Sequence, residues 1–313
     1  MLMIVLRSVT RRYGRLTAVD GVSFELPETG VIGLLGQNGA GKSTVLNMVT
    51  GYLPPTSGRI LIDGVDLQAE PRTCKRKIGY LPEKPPLYPE MTVEEYLRFV
   101  CRLREVAGGD IARHMKEILS LCGLEDHRKK TLGSLSKGYQ QRAGFAQALC
   151  GDPPVLVLDE PTVGLDPVQI REIRDLMSRL GEDHLVVFST HLLHEAQRLC
   201  RRVLILHRGK LAADVDLRNS GEQTADLLIK SCDPAVIGGI RDLEGVRSFR
   251  TRPCSREGCT AASISFGTSE YEDVCARLFQ LLSAHGAPLL ALVPAQNDLE
   301  ALFVRIAAGD RED

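Results

Sequence analysis

Val31-Ile32-Gly33-Leu34-Leu35 runs directly into Gly36-Gln37-Asn38-Gly39-Ala40-Gly41-Lys42-Ser43, and Thr44-Val45-Leu46-Asn47-Met48 continues with helical character. A short apolar strand, a glycine-rich turn closing on Lys-Ser and a helix together make an eight-residue phosphate loop in its required context. The glycines let the backbone curl so that successive N–H groups converge on one phosphate, and the positive end of the following helix adds to the attraction. Lys42 then reaches the β and γ phosphates of a nucleoside triphosphate. Ser43 offers a hydroxyl to Mg²⁺, a hard cation that takes oxygen ligands.

Working outward, Pro154-Val155-Leu156-Val157-Leu158 is a second apolar strand, and it ends in Asp159 and Glu160. Carboxylates at a strand's carboxyl end face the ligand crevice of an open parallel sheet. One is suited to the Mg²⁺ shell and the next to positioning or deprotonating the attacking water. Further strand candidates at Val186–Phe188 and Arg202–Leu206 alternate with helical patterns, as in an α/β sheet with crossover helices. Between the phosphate loop and the acidic pair, Thr92-Val93-Glu94-Glu95 opens a capped helix and another follows from Asp110 to Leu121. Residues 84–150 therefore read as a mostly helical insertion.

At about 150 residues per domain, a 313-residue chain makes two. Turn chemistry at Arg218-Asn219-Ser220-Gly221 places the boundary between 1–218 and 221–313. The second part reads strand, helix from Asp233-Pro234, strand, strand, helix, strand, helix. That order is a small α+β, ferredoxin-like module with an extra terminal helix.

Lys and Arg (39) nearly balance Asp and Glu (40), for a net charge of −1. No electrostatic pull toward nucleic acid or anionic lipid is expected, and nucleic acid is not expected as a partner. No apolar run approaches the 18 residues or so that a membrane span needs, so a membrane role requires a partner chain. Met1–Leu6 is too short for a signal-peptide core and reads as a first strand. The nine cysteines are scattered without a Cys-x-x-Cys pair, and read as reduced thiols packed as small hydrophobes.

Leu135-Ser136-Lys137-Gly138-Tyr139-Gln140-Gln141-Arg142 carries the resemblance to a family. The chain resembles the nucleotide-binding subunit of an ATP-binding cassette transporter, over roughly residues 3–215. That family's Leu-Ser-Gly-Gly-Gln signature is matched at Leu135, Ser136 and Gly138, with Lys137 and Tyr139 as departures. The resemblance implies that Tyr13 stacks on adenine and that Ser136 and Gly138 bind the γ-phosphate of a nucleotide held by a second subunit. It also implies that Asp166, in Gly164-Leu165-Asp166, belongs to the dimer-contact loop and that His191 is the switch histidine. Glu83 ends Gly79-Tyr80-Leu81-Pro82-Glu83, where the family usually has Gln, and is carried over as a ligand of Mg²⁺ or its water.

The implied assembly is a homodimer sandwiching two ATP, bound to a separate membrane permease. It implies a cytoplasmic chain, peripheral on the inner face of the cell membrane through that permease. Ile78–Glu83, Pro86–Val93, the Ser-Lys-Gly-Tyr signature and Leu299–Val304 look like multidrug, copper-processing or gliding-associated exporters with a short separate permease. The alternative is a soluble ATP-binding cassette protein acting on nucleic acid or ribosomes. Against it, too few residues separate Lys42 from Ser136 for a long coiled coil, and one phosphate loop makes one cassette.

Overall fold

The computed structural model describes residues 2–217, 222–254, 256–267, 271–294 and 299–308. These fall into two compact units, Met1–Val215 and Asp216–Asp313.

The first unit opens with β1 (Leu2–Tyr13), β2 (Leu16–Pro27), β3 (Gly30–Leu35), α1 (Lys42–Val49), β4 (Ser57–Ile62), β5 (Val65–Asp66), α2 (Pro71–Arg76) and β6 (Ile78–Leu81). The helical insertion follows as α3 (Val93–Leu103), α4 (Ile111–Leu121) and α5 (Lys137–Leu149). Then come β7 (Val155–Leu158), α6 (Pro167–Asp183), β8 (Leu185–Thr190), α7 (Leu193–Leu199), β9 (Arg202–His207) and β10 (Lys210–Asp216).

Six strands form a sheet in the order β10-β9-β3-β8-β7-β6, and β9, β3, β8, β7 and β6 pair in parallel. Every residue of β3, β7 and β8 is buried, which is why these strands read as unbroken apolar runs. The register aligns Leu35 with Thr190, Phe188 with Leu158, and Leu158 with Leu81. The carboxyl ends of four adjacent strands therefore lie along one edge. The segments that follow them hold the phosphate loop, His191, the acidic pair and Glu83.

A second sheet, β2-β1-β4-β5, is antiparallel. It was not legible as a separate layer, because register shifts along the β1–β2 pair break the period-two alternation that marks a half-buried strand. Ile4, Leu6, Ile60 and Ile62 of this sheet share one core with Leu34, Val157, Val187 and Leu204 of the parallel sheet. Val45 and Met48 of α1 lie in the same core, so the helix behind the phosphate loop is packed from two sides.

In the insertion, Thr92 caps α3 in a full capping box with Glu95. Two hydrogen bonds from Thr92, one from its backbone and one from its hydroxyl, hold the Glu95 carboxyl below its ordinary range. Cys74, Cys101, Cys122, Cys150 and Cys200 are buried thiols, and burial pushes Cys122 up to about 12.

The second unit comprises β11 (Glu222–Ile229), α8 (Pro234–Arg241), β12 (Val246–Arg252), β13 (Thr260–Gly267), α9 (Tyr271–Ala284), β14 (Leu289–Pro294) and α10 (Leu299–Ala308). Its sheet is antiparallel in the order β12-β13-β11-β14. Ala225, Leu227 and Ile229 pack with Ile264, Phe266, Val274, Leu278 and Leu282 in a core of its own.

Candidate active site

The phosphate loop closes on its own lysine. Lys42, 6% exposed, donates to the carbonyls of Gly36 (2.8 Å) and Gln37 (3.3 Å), so its amine is held beneath the loop. Gly41 has φ +103°, and a Cβ there would lie 2.7 Å from the carbonyl oxygen of Ala18, so both backbone angle and space demand glycine. The first intrahelical bond of α1 runs from Val45 N to Gly41 O. The amides of Lys42, Ser43 and Thr44 come before it and are left for an external acceptor.

Ser43 donates to Asp159 Oδ1 at 3.1 Å, and Ser189 donates to the same oxygen at 2.6 Å. Ser189 Oγ also accepts from the Glu160 amide at 2.8 Å. One hydroxyl thus positions both acids. Glu160 itself has φ +46°, a left-handed conformation that costs about 1–3 kcal/mol in a non-glycine residue. Its backbone is tied down by Ser189 and by the Val163 amide, which donates to its carbonyl at 3.2 Å.

The Glu160 carboxylate meets Lys42 Nζ at 3.3 Å through Oε1 and His191 Nδ1 at 2.9 Å through Oε2. A carboxylate only accepts, so Nδ1 carries the proton in this contact. Asn38, Gly39, Gly41, Lys42, Ser43, Thr44, Glu83, Glu160 and His191 line a cavity of about 390 Å³ together with Ala18 and Val163. Gly36, Gln37 and Ala40 form the loop beneath, and Asp159 joins through Ser43.

Other expected residues lie apart from that cavity. Tyr13 does not line it; the ring is 45% exposed, with the Arg11 guanidinium 4.8 Å from its centroid. Asp166 caps α6, accepting from the amides of Val168 and Gln169 at 3.0 and 2.9 Å. Ser136 is the N-cap residue of α5, but its side chain makes no capping bond. Gly138 packs directly against the side-chain amide of Gln169, which would have to shift to admit a Cβ.

The two signature departures are absorbed within the chain. Tyr139 stacks on His127 at 3.9 Å between centroids and 24° between planes. Lys137 lays its amine over Gly164, whose φ of +71° and missing Cβ make the space.

Some residues at the site were not singled out from sequence. Ser189 lies in β8 between the strand candidate Val186–Phe188 and His191, and its only signal is a hydroxyl at the end of an apolar strand. Gln141, 6% exposed, donates to the Pro161 carbonyl at 3.0 Å and ties α5 to the acidic turn. Tyr80 donates to Asn47 Oδ1 at 3.0 Å, and burial followed by the Asp159 charge pushes its phenol up, so it stays protonated.

Residues 19–163 match the family described as ABC transporter. The chain is 30% identical to the linearmycin resistance ATP-binding protein LnrL of Bacillus subtilis, over 99% of its own length and 100% of that protein. It is 30% identical to the bacitracin transport ATP-binding protein BcrA of Bacillus licheniformis, over 96% of each. A dimeric ATP-binding cassette solved in a post-hydrolysis state with ADP and Pi superposes with a TM-score of 0.63 at 28% identity, covering 69% of this chain and 99% of the other.

Proposed function

The chain belongs to the ABC transporter family of ATP-binding proteins, and from that premise we propose that it is the ATP-hydrolysing subunit of an exporter, driving a separate membrane permease through closure and opening of a dimer. The observation that carries the reading is the convergence of Lys42, Ser43, Glu160 and His191 on one cavity, with Asp159 bonded to Ser43.

Lys42 and the amides at the start of α1 bind the phosphates, and the positive charge on Lys42 offsets theirs. Ser43 and Asp159 present two hard oxygens within hydrogen-bond distance of each other, a donor set that fits Mg²⁺, and Glu83 lines the same cavity. When bound, the ion supplies neutralisation of phosphate charge. Glu160 orients the attacking water and accepts its proton, with His191 fixing the carboxylate through Nδ1. Ser136 and Gly138, at the start of α5, would engage the nucleotide of a second copy, helped by the positive end of that helix. Asp166 and Tyr13 keep the dimer-contact and adenine roles that the family resemblance assigns them.

A larger cavity of about 990 Å³ supports contact with a permease. It runs from Asn47 and Tyr80 to Tyr96 and Phe99, and Glu83 lines it as well as the nucleotide cavity. Tyr52, Tyr88, Phe99 and Leu103 expose apolar surface there, a surface where a loop of a partner chain could seat. No helix among the described residues is long and apolar enough to cross a membrane; the permease of this reading is a separate chain, with the subunit on its cytoplasmic face. Residues 1–218 are the ATPase domain, and 221–313 hold or regulate the pair without catalysis. Full-length similarity to proteins named for bacitracin transport and linearmycin resistance favours export over action on nucleic acid or ribosomes.

The test is phosphate release from ATP by the purified chain. Mg²⁺-dependent turnover that Glu160→Gln abolishes, with ATP still bound, is the expected result. Wild-type turnover by that variant would remove Glu160 from the chemistry.

A further inference from the structure

We propose that Glu195 is a positioning residue for hydrolysis, a buried clamp between the turn that carries Glu160 and the segment that presents His191. The proposal rests on the roles given above to Glu160 and His191.

Glu195 sits in α7 and is 1% exposed. Its Oε2 accepts from Thr162 Oγ1 at 3.0 Å and from Thr190 Oγ1 at 3.0 Å. Thr162 lies two residues beyond Glu160, and Thr190 immediately precedes His191. The Thr190 hydroxyl also accepts from the Leu192 amide at 3.0 Å, so the residues on both sides of His191 are anchored to one carboxylate. The three groups come from three separate elements: the turn after β7, the end of β8, and α7.

The chemistry of the position argues against simple packing. Both Glu160 carboxylate oxygens are paired, to Lys42 and His191, but Glu195 Oε1 is buried with no hydrogen-bond partner among the described residues. An unsatisfied buried polar atom costs about 1–3 kcal/mol. An apolar side chain in α7 would avoid that cost, but it would offer no acceptor to either threonine. Such an orphan in a folded protein calls for a reason beyond packing.

The His191–Glu160 contact of 2.9 Å supplies one. The imidazole is 39% exposed, and Glu160 is held in a left-handed backbone conformation. Misplacing a reacting group by about 1 Å can cost a hundredfold in rate, so a brace fixing both backbones acts on turnover rather than on ATP affinity.

The test measures kcat, ATP KM and melting temperature for Glu195→Ala, Glu195→Gln and Thr162→Val, with Glu160→Gln in parallel. Glu195→Ala is expected to lower kcat at least tenfold, with KM within about twofold of the wild type. Glu195→Gln keeps an oxygen that can accept from both hydroxyls and is expected to stay within threefold. Thr162→Val, nearly isosteric, should lower kcat at least threefold. It carries the test alone if Glu195→Ala does not fold.

Wild-type kcat in Glu195→Ala or Thr162→Val overturns the clamp. So does a loss of rate that follows a loss of ATP affinity and melting temperature, or a Gln variant as damaged as the Ala variant. If Glu160→Gln itself turns over normally, the underlying reading of the site has failed. If it is inert while Glu195→Ala is active, only the clamp has failed.

Discussion

The Lys42 amine lies 3.3 Å from Glu160 Oε1 while it donates to two carbonyls of its own loop. A phosphate entering the loop must take over a cation that Glu160 already engages, so the two carboxylate contacts of Glu160, to Lys42 and His191, are in part alternatives to nucleotide contacts. Lys42→Ala leaves the phosphates without their countercharge. Losing one partner of a buried charge pair costs 2 kcal/mol or more, roughly thirtyfold in Kd. Calorimetry should show at least that loss, and an unchanged ATP Kd would take Lys42 out of the site. Glu160→Gln, which removes the competing charge, should bind ATP as tightly as the wild type or more so.

Ser189→Ala removes the hydroxyl that bonds both Asp159 Oδ1 and the Glu160 amide. Hydrogen bonds to charged groups are each worth about 1.5–3 kcal/mol. The Mg²⁺ concentration giving half-maximal ATPase activity should rise several-fold, and kcat should fall about tenfold. An unchanged Mg²⁺ titration would leave Ser189 with a packing role only.

Glu83→Gln should retain measurable ATPase activity, because Glu83 is exposed and lines the cavity without a hydrogen bond or ion pair to Lys42, Ser43 or Glu160. Its place in the wall of both cavities predicts that the variant changes how turnover responds to the permease. An inert isolated subunit with normal ATP binding would mean that Glu83 takes part in the chemistry.

Truncation after Arg218 separates two hydrophobic cores that are each complete within their unit. The shortened chain should bind nucleotide within about threefold of the full chain and should self-associate less at low ATP. Unchanged dimerisation by sedimentation would exclude a dimer-holding role for residues 221–313.

The residues legible in sequence are those whose function is local. The phosphate loop, the acids closing β7 and the capping box at Thr92 each complete their geometry within a few neighbouring positions. Ser189, Gln141 and Glu195 were not legible in that way. Glu160, Pro161 and Thr162, which they bond, lie 29, 20 and 33 positions away, and only tertiary packing of β8, α5 and α7 around the acidic turn brings them together. The antiparallel sheet is hard to read from sequence for a different reason, since the register shifts along β1 scramble the inward-outward rhythm. The left-handed backbone of Glu160 carries no sequence signal, because nothing about a glutamate announces φ +46°.

In the proposed mechanism ATP joins two copies of this chain and hydrolysis releases them. Sedimentation velocity of Glu160→Gln with Mg²⁺ and ATP, with Mg²⁺ and ADP, and without nucleotide tests it most directly. The account predicts a dimer with ATP that is absent or much weaker in the other two conditions, and that is lost when Ser136→Arg blocks the start of α5. A chain that binds ATP with unchanged affinity and stays monomeric at saturating nucleotide would contradict it.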